Sequence, residues 1–341
     1  MSLVSCADVP ALGDLLDGLR VVSIPLRTRF RGIDYREIAY LAGPSGYGEF
    51  APFLEYEPPE ASRWLLAAIE AAYDEWPVAV RESVPVNATV PAVDAVDVPA
   101  VLARYDGCTT AKVKVAERGQ RPADDLARVA EVRNVLGADG RVRVDANGGW
   151  SVEEAAASLE RLAAYGLEYA EQPCATVEEL VELRTLLAHR GVDVRIAADE
   201  SIRKAEDPLR VARLGAADIA VVKVAPLGGV RAALAVAQEC GLPIVVSSAL
   251  DSSVGIAAGL ALAAALPSLE HACGLGTVEL LEGDVTTDRL VPQAGSLQVR
   301  NPEVSPELLD RWAAAPGRVH WWQDRVSACR TALSADRARR L

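Results

Sequence analysis

Lysine is almost missing from this chain: of its 35 basic residues only Lys112, Lys114, Lys204 and Lys223 are lysine, and the other 31 are arginine. The three histidines (His189, His271, His320) stand far apart. The six cysteines (Cys6, Cys108, Cys174, Cys240, Cys273, Cys329) form no C-x-x-C pair and no zinc-like spacing with histidine, which argues against a structural zinc site and a disulfide-stapled fold. No uncharged apolar run is longer than Val254 to Leu266, too short to cross a bilayer and flanked like a buried helix. Acidic residues outnumber basic ones 48 to 35, for a net charge of −13, and no basic stripe stands out before the last few residues, nor any aromatic stacking platform. Neither nucleic acid nor membrane is therefore an expected partner. Asp8, Asp14 and Asp17 stand where an export signal needs basic residues, so the expected location is the cytoplasm.

What is there is enough for a large core: 341 residues, half of them hydrophobic, with 25 Gly and 20 Pro. Residues 1–82 read as an α+β unit. VVSIPLRTRF and IDYREIAYLAG form a hairpin about Arg31-Gly32, GPSGYGEF is a polar connector, and a helix runs from Ser62 to Tyr73. Residues 83–274 alternate short β-branched runs with Ala/Leu/Glu-rich segments, the pattern of repeated βα units. Eight runs, from SVPVNA to SLEHAC, predict a closed parallel barrel. Ser151 with Glu154 and Thr176 with Glu179 have the capping-box form directly after strands. Residues 275–322 return to mixed texture and are expected back against the N-terminal unit; 323–341 read as a basic, helical tail.

The sparse lysines are informative because an amine can lose its proton where a guanidinium cannot. Lys112 and Lys114, two apart in TTAKVKV, share one face of a strand. Taken alone, such a pair also fits an exposed polar face. Asp145, Glu171 and Asp199, however, close the next three strands, and the steps from Lys114 through them to Lys223 are 31, 26, 28 and 24 residues, about one βα unit each. The C-terminal rim of such a barrel is where chemistry is done. Three carboxylates there need a cation between them, and oxygen-only ligation selects Mg²⁺, with Mn²⁺ as a substitute.

These blocks, Lys112-Val-Lys114, Asp145-Ala-Asn147, Glu171-Gln-Pro173, Asp199-Glu-Ser201 and Lys223 to Gly229, resemble the enolase superfamily in its muconate-lactonizing-enzyme-like branch. The resemblance runs from about residue 20 to 290. It implies a modified TIM barrel of (β/α)7β form with an α+β capping domain built from both ends of the chain. It also implies Mg²⁺ on Asp145, Glu171 and Asp199, Lys114 as the base beside Lys112, and Lys223 across the substrate. The blocks at Gly48 to Pro52, Ser247 to Ser253 and Ala272 to Thr277 resemble members that dehydrate a cyclohexadiene dicarboxylate, a resemblance that implies a lyase of the menaquinone pathway. N-acylamino acid racemases and dipeptide epimerases carry the same lysine and acid motifs. A catalytically idle barrel serving as a binding protein is disfavoured, because an unused buried charge cluster would only cost stability.

The partner implied is a small-molecule dicarboxylate; the oligomeric state stays open. In this branch the hairpin loop folds over the barrel mouth, so Arg31, with Arg29 and the flexible Gly32, is the expected reader of the distal carboxylate. An ordinary arginine-decorated hairpin is the alternative. Ser247 and Ser248 complete the expected substrate contacts with Asn147, for which loop capping is the alternative. Glu200 is expected to face away from the metal and support a ligand, and Gly228-Gly229 to form either a helix-start anion site or a plain βα turn.

Overall fold

The computed structural model describes residues 9–203 and 207–340; Cys6, Asp8 and Lys204 lie outside the described residues. Strand β1 (Arg20–Phe30) turns back into β2 (Ile33–Gly43) through Arg31 and Gly32, whose φ angles of 50° and 78° meet the type I′ requirement for two positive values. The stretch read as a polar connector instead supplies a third antiparallel strand, β3 (Gly46–Phe50). Glycines in both strands serve close packing: a Cβ on Gly43 of β2 or Gly48 of β3 would strike the carbonyls of Ala72 and Ala68 in the helix Pro58–Tyr73. That helix starts four residues before the expected Ser62, because Pro58 and Pro59 suit a first turn that has no N–H groups to pair.

After β4 (Ser83–Pro85) come seven parallel strands in sequential order: β5 (Ala88–Val90), β6 (Thr110–Lys114), β7 (Arg141–Asp145), β8 (Leu167–Glu171), β9 (Ile196–Ala198), β10 (Ile219–Val222) and β11 (Ile244–Val246). Helices follow most of them. Val152–Leu162 and Val177–Arg190 begin with both expected capping boxes, and the apolar run from Val254 is the buried helix Ser253–Ala265. The eighth run does not extend into a strand. Ser268 and Glu270 face solvent and His271 turns inward to Glu168, so only Cys273 and Gly274 bridge β11 to the segment between β4 and β5 and close the ring. Tyr169, Ala197, Ile219, Val221 and Val245 fill the barrel axis.

A second core gathers the N-terminal sheet, the helix Pro58–Tyr73 and residues from 280 onward. Val22 and Leu26 of β1 bridge Ala313 and Leu281, and β12 (Ser296–Gln298) pairs with β4. The last helix, Pro316–Arg340, runs unbroken across residue 322. Trp322, Val326 and Cys329 are buried in this second core, so what reads as a basic tail is in its first half a packed element.

Candidate active site

Parallel pairing in register sets Lys112 opposite Arg143 and Lys114 opposite Asp145, and Asp145 in turn opposite Glu171. Both lysines are buried, which removes the exposed-face alternative. Lys112 Nζ lies 2.7 Å from Glu171 and 3.4 Å from Asp145, and Lys114 Nζ lies 2.5 Å from Asp145 and also donates to Asn147 Oδ1. From the other side of the ring Lys223, just past β10, reaches Asp199 at 2.6 Å. The expected lysines and acids are thus brought into one cluster, with Lys223 opposite the Lys112/Lys114 pair.

The arrangement corrects one step of the sequence argument. Each carboxylate makes its shortest contact with a lysine ammonium, and among the described residues no three acidic, histidine or cysteine side chains stand at metal-ligating separations. Charge balance by itself therefore does not force a metal. The observation that fits one is Glu171, whose Oε2 is buried without a hydrogen-bond partner among the described residues, within an all-oxygen donor set.

Local electrostatics separate the groups. Burial lowers the Lys114 ammonium, and Lys112 and Arg31 reinforce this against the pull of Asp145. Burial acts on Lys112 in the same sense, but Glu171 and Asp145 outweigh it and hold that ammonium above its ordinary value. Asp145 is held well below the carboxylate range because Lys114 and Lys112 overcome its burial. Burial pushes Glu171 up, and the Asp145 and Asp199 charges add to it against Lys112.

A cleft of about 410 Å³ opens over this cluster, and Arg31, Asn147, Ser247 and Ser248 line it with Lys114 and Lys223. Arg31 lies over the Phe53 ring, 4.6 Å from its centre. Arg29 does not join them: it pairs with Asp34 at 3.4 Å on the exposed hairpin, whereas Arg31 lies past the end of β1 in the turn, at φ 50°, and so leaves the alternation that would have given the two arginines one face. Gly32, expected among the substrate contacts, does not line the cleft and serves the turn at φ 78°. Phe30, Thr89, Leu250 and Thr277 also line the cleft and were missed. Thr89 lies just past the run SVPVNA, which ends at Ala88; the structure instead places the first barrel strand at Ala88–Val90 and pairs Thr89 with Lys112, and its hydroxyl is buried without a partner among the described residues.

Surrounding groups hold the cluster in place. Gln172, at φ 38°, accepts from the N–H groups of Asp199 and Ser201 and so fixes the turn after β9. Glu200 opens a short helix, not a strand position, and binds Asn147 and Arg203. Gly229 does precede a helix start, Val230–Cys240, but Glu70 from the N-terminal unit already occupies its N–H groups, so this is an internal contact between the two units and not a ligand site. His271 is structural, bound to Glu168.

Family comparison agrees with the geometry. Residues 97–304 match the model described as Enolase C-terminal domain-like, and residues 21–72 match Enolase N-terminal domain-like. The o-succinylbenzoate synthase of Mycolicibacterium smegmatis is 60% identical over 322 residues, 94% of this chain and 98% of that protein. The o-succinylbenzoate synthase of Mycobacterium leprae is 57% identical, covering 95% of each chain. Among solved structures, muconate lactonizing enzyme from Pseudomonas fluorescens complexed with muconolactone superposes with a TM-score of 0.73 at 21% identity, over 87% of this chain and 98% of that one. 2-Chloromuconate cycloisomerase from Rhodococcus opacus 1CP gives 0.73 at 23%. At such identities these structures establish the fold.

Proposed function

The chain belongs to the enolase superfamily, and from that premise we propose that it is an o-succinylbenzoate synthase, a hydro-lyase converting 2-succinyl-6-hydroxy-2,4-cyclohexadiene-1-carboxylate to o-succinylbenzoate in menaquinone biosynthesis. The observation that carries the reading is the placement of Lys114 and Lys223 on opposite sides of one cleft, above three buried carboxylates, in a chain so similar to proteins of that name. Free thiols at all five described cysteines support a cytoplasmic setting.

The hydrogen to be removed lies α to a carboxylate and is very weakly acidic. Lys114, placed at the cleft and lowered by burial, takes that proton. Negative charge then develops on the carboxylate oxygens of the substrate, and the Lys223 ammonium stabilises it from the far side. The C–O bond to the 6-hydroxyl breaks on the same face, and Lys114 returns its proton to the departing oxygen. Water leaves, the ring becomes aromatic and the amine is restored.

Superfamily sites pair a Lys or His base with Mg²⁺, a family property and not a result of the present geometry. Asp145, Glu171 and Asp199 would hold the ion, which when bound supplies electrophilic stabilisation of the developing charge. The buried, unpartnered Glu171 oxygen supports that donor set. Arg31 is our candidate for reading the succinyl carboxylate, with Ser247 and Ser248 lining the same cleft.

The test is a direct assay of purified protein for o-succinylbenzoate formation, with loss of optical rotation of N-acyl amino acids followed in parallel. Dehydration that stops with EDTA and returns with Mg²⁺ or Mn²⁺ is expected. Full activity in metal-free buffer, or racemisation without dehydration, would overturn the reading.

A further inference from the structure

Arg203 closes the short helix Glu200–Arg203 and is only 3% exposed. Its guanidinium donates in three directions: Nε to Asp199 Oδ1 at 3.2 Å, Nη2 to Glu200 Oε1 at 2.6 Å, and Nη1 to the Tyr56 hydroxyl at 3.0 Å. The two carboxylates belong to the barrel, whereas Tyr56 belongs to the N-terminal unit. The Tyr56 ring meets Phe53 edge-on at 5.7 Å, and Phe53 in turn carries the Arg31 guanidinium. On the barrel side, Asp199 Oδ2 receives Lys223, while Glu200 Oε1 accepts from Asn147, whose own Oδ1 receives Lys114.

A continuous set of contacts therefore runs from the cleft-lining Arg31 through the Arg203 guanidinium to both lysines. We propose that Arg203 is a positioning residue that ties the orientation of Asp199 and Glu200 to the seating of Tyr56 against the barrel, so that docking of the N-terminal unit is a condition for productive geometry at Lys114 and Lys223. Arginine suits this task because its donors lie in one rigid plane; shifting one partner turns the others, whereas an ammonium imposes no such coupling. Glu200 is sensitive to it. Its Oε2 is buried without a partner among the described residues, so only Arg203 and Asn147, both on Oε1, hold its carboxylate.

The inference rests on the reading of Asp199 as a metal ligand. Its test is titration calorimetry of Mg²⁺ alone into metal-free protein, with kcat, KM and thermal midpoint recorded beside it. The variants are Tyr56→Phe, Arg203→Lys and their double. Tyr56→Phe deletes one hydroxyl outside the carboxylate cluster; we expect it to weaken Mg²⁺ binding three- to tenfold and lower kcat similarly, with KM and thermal midpoint close to wild type. Arg203→Lys keeps the charge and should weaken binding at least as much, and the double variant should be no worse than Arg203→Lys. Wild-type Mg²⁺ affinity in Tyr56→Phe or Arg203→Lys, or additive losses in the double, would overturn the coupling while leaving the proposed function intact. A wild-type chain that binds no divalent ion would overturn the metal reading and this inference with it.

Discussion

Lys112 and Lys114 sit two positions apart on one strand, both buried, yet their surroundings drive them in opposite directions, Lys112 up and Lys114 down. Both line the cleft, but Lys112 faces two carboxylates, Glu171 and Asp145, whereas Lys114 faces Asp145 alone with the Arg31 and Lys112 charges set against it. This difference supports the proton-transfer role proposed for Lys114. Lys114→Ala should lower kcat by about 10³-fold or more with unchanged circular dichroism, and Lys223→Ala should be severely impaired because the developing anion loses its second cation. Near-normal turnover in Lys114→Ala would remove the base assignment. Arg31→Ala should raise KM about tenfold or more, the scale of a lost charge-assisted hydrogen bond, with a smaller change in kcat. Gly32 has open space around it but φ of 78°, so Gly32→Val should strain the turn by on the order of 1 kcal/mol and lower kcat/KM. Unchanged kinetics in both variants would exclude this turn from recognition.

Among the elements, the helix Val230–Cys240 shows how a motif-level expectation is resolved by a neighbour. Its N-terminus does bind an anion, but the anion is Glu70 from the helix Pro58–Tyr73, which accepts from Val230 and Arg231 N–H groups and pairs with the Arg231 side chain at 2.9 Å. Gly229 is needed there, since a Cβ would collide with the Glu70 carboxylate and φ is 127°. Glu70→Ala should destabilise the protein by roughly 2 kcal/mol, because buried donors lose their partner, measurable as a lower urea midpoint. An unchanged midpoint would show that the contact contributes nothing to docking of the two units. The capping boxes at Ser151 and Thr176 were legible because their signal is local; the extra strand β3 was not, because its pairing depends on a helix packed against its glycines.

At the scale of the whole molecule the barrel floor supplies a pH dependence. Glu168 is bound by His271 and by Arg143 at 2.5 Å beneath the site. Burial alone would raise its carboxyl, but the His271 hydrogen bond and the Arg143 charge outweigh it and hold it at about 2. A folded pKa below the unfolded one gives stability that is fully present above the unfolded value near 4.3 and is lost as pH falls toward 2. Discounted for solvent screening, the contribution is on the order of 1–2 kcal/mol. Urea titrations between pH 6 and 2.5 should therefore show a steeper loss in wild type than in Glu168→Gln, and parallel curves would disprove the pairing.

The order of strands and helices, the shared face of Lys112 and Lys114, and the acid at the end of each following strand were determined by sequence alone, because a period of two and a βα repeat of about 24 to 31 residues are written in local order. What tertiary structure decided depends on distant groups meeting. The ring closes through Cys273 and Gly274 and not a full eighth strand, the C-terminal helix buries Trp322 in the N-terminal core, and Arg29 turns away while Arg31 lines the cleft. Arg203 is the clearest case. Nothing in its local sequence marks it, and its position matters only because Tyr56, 147 residues earlier, is folded against it.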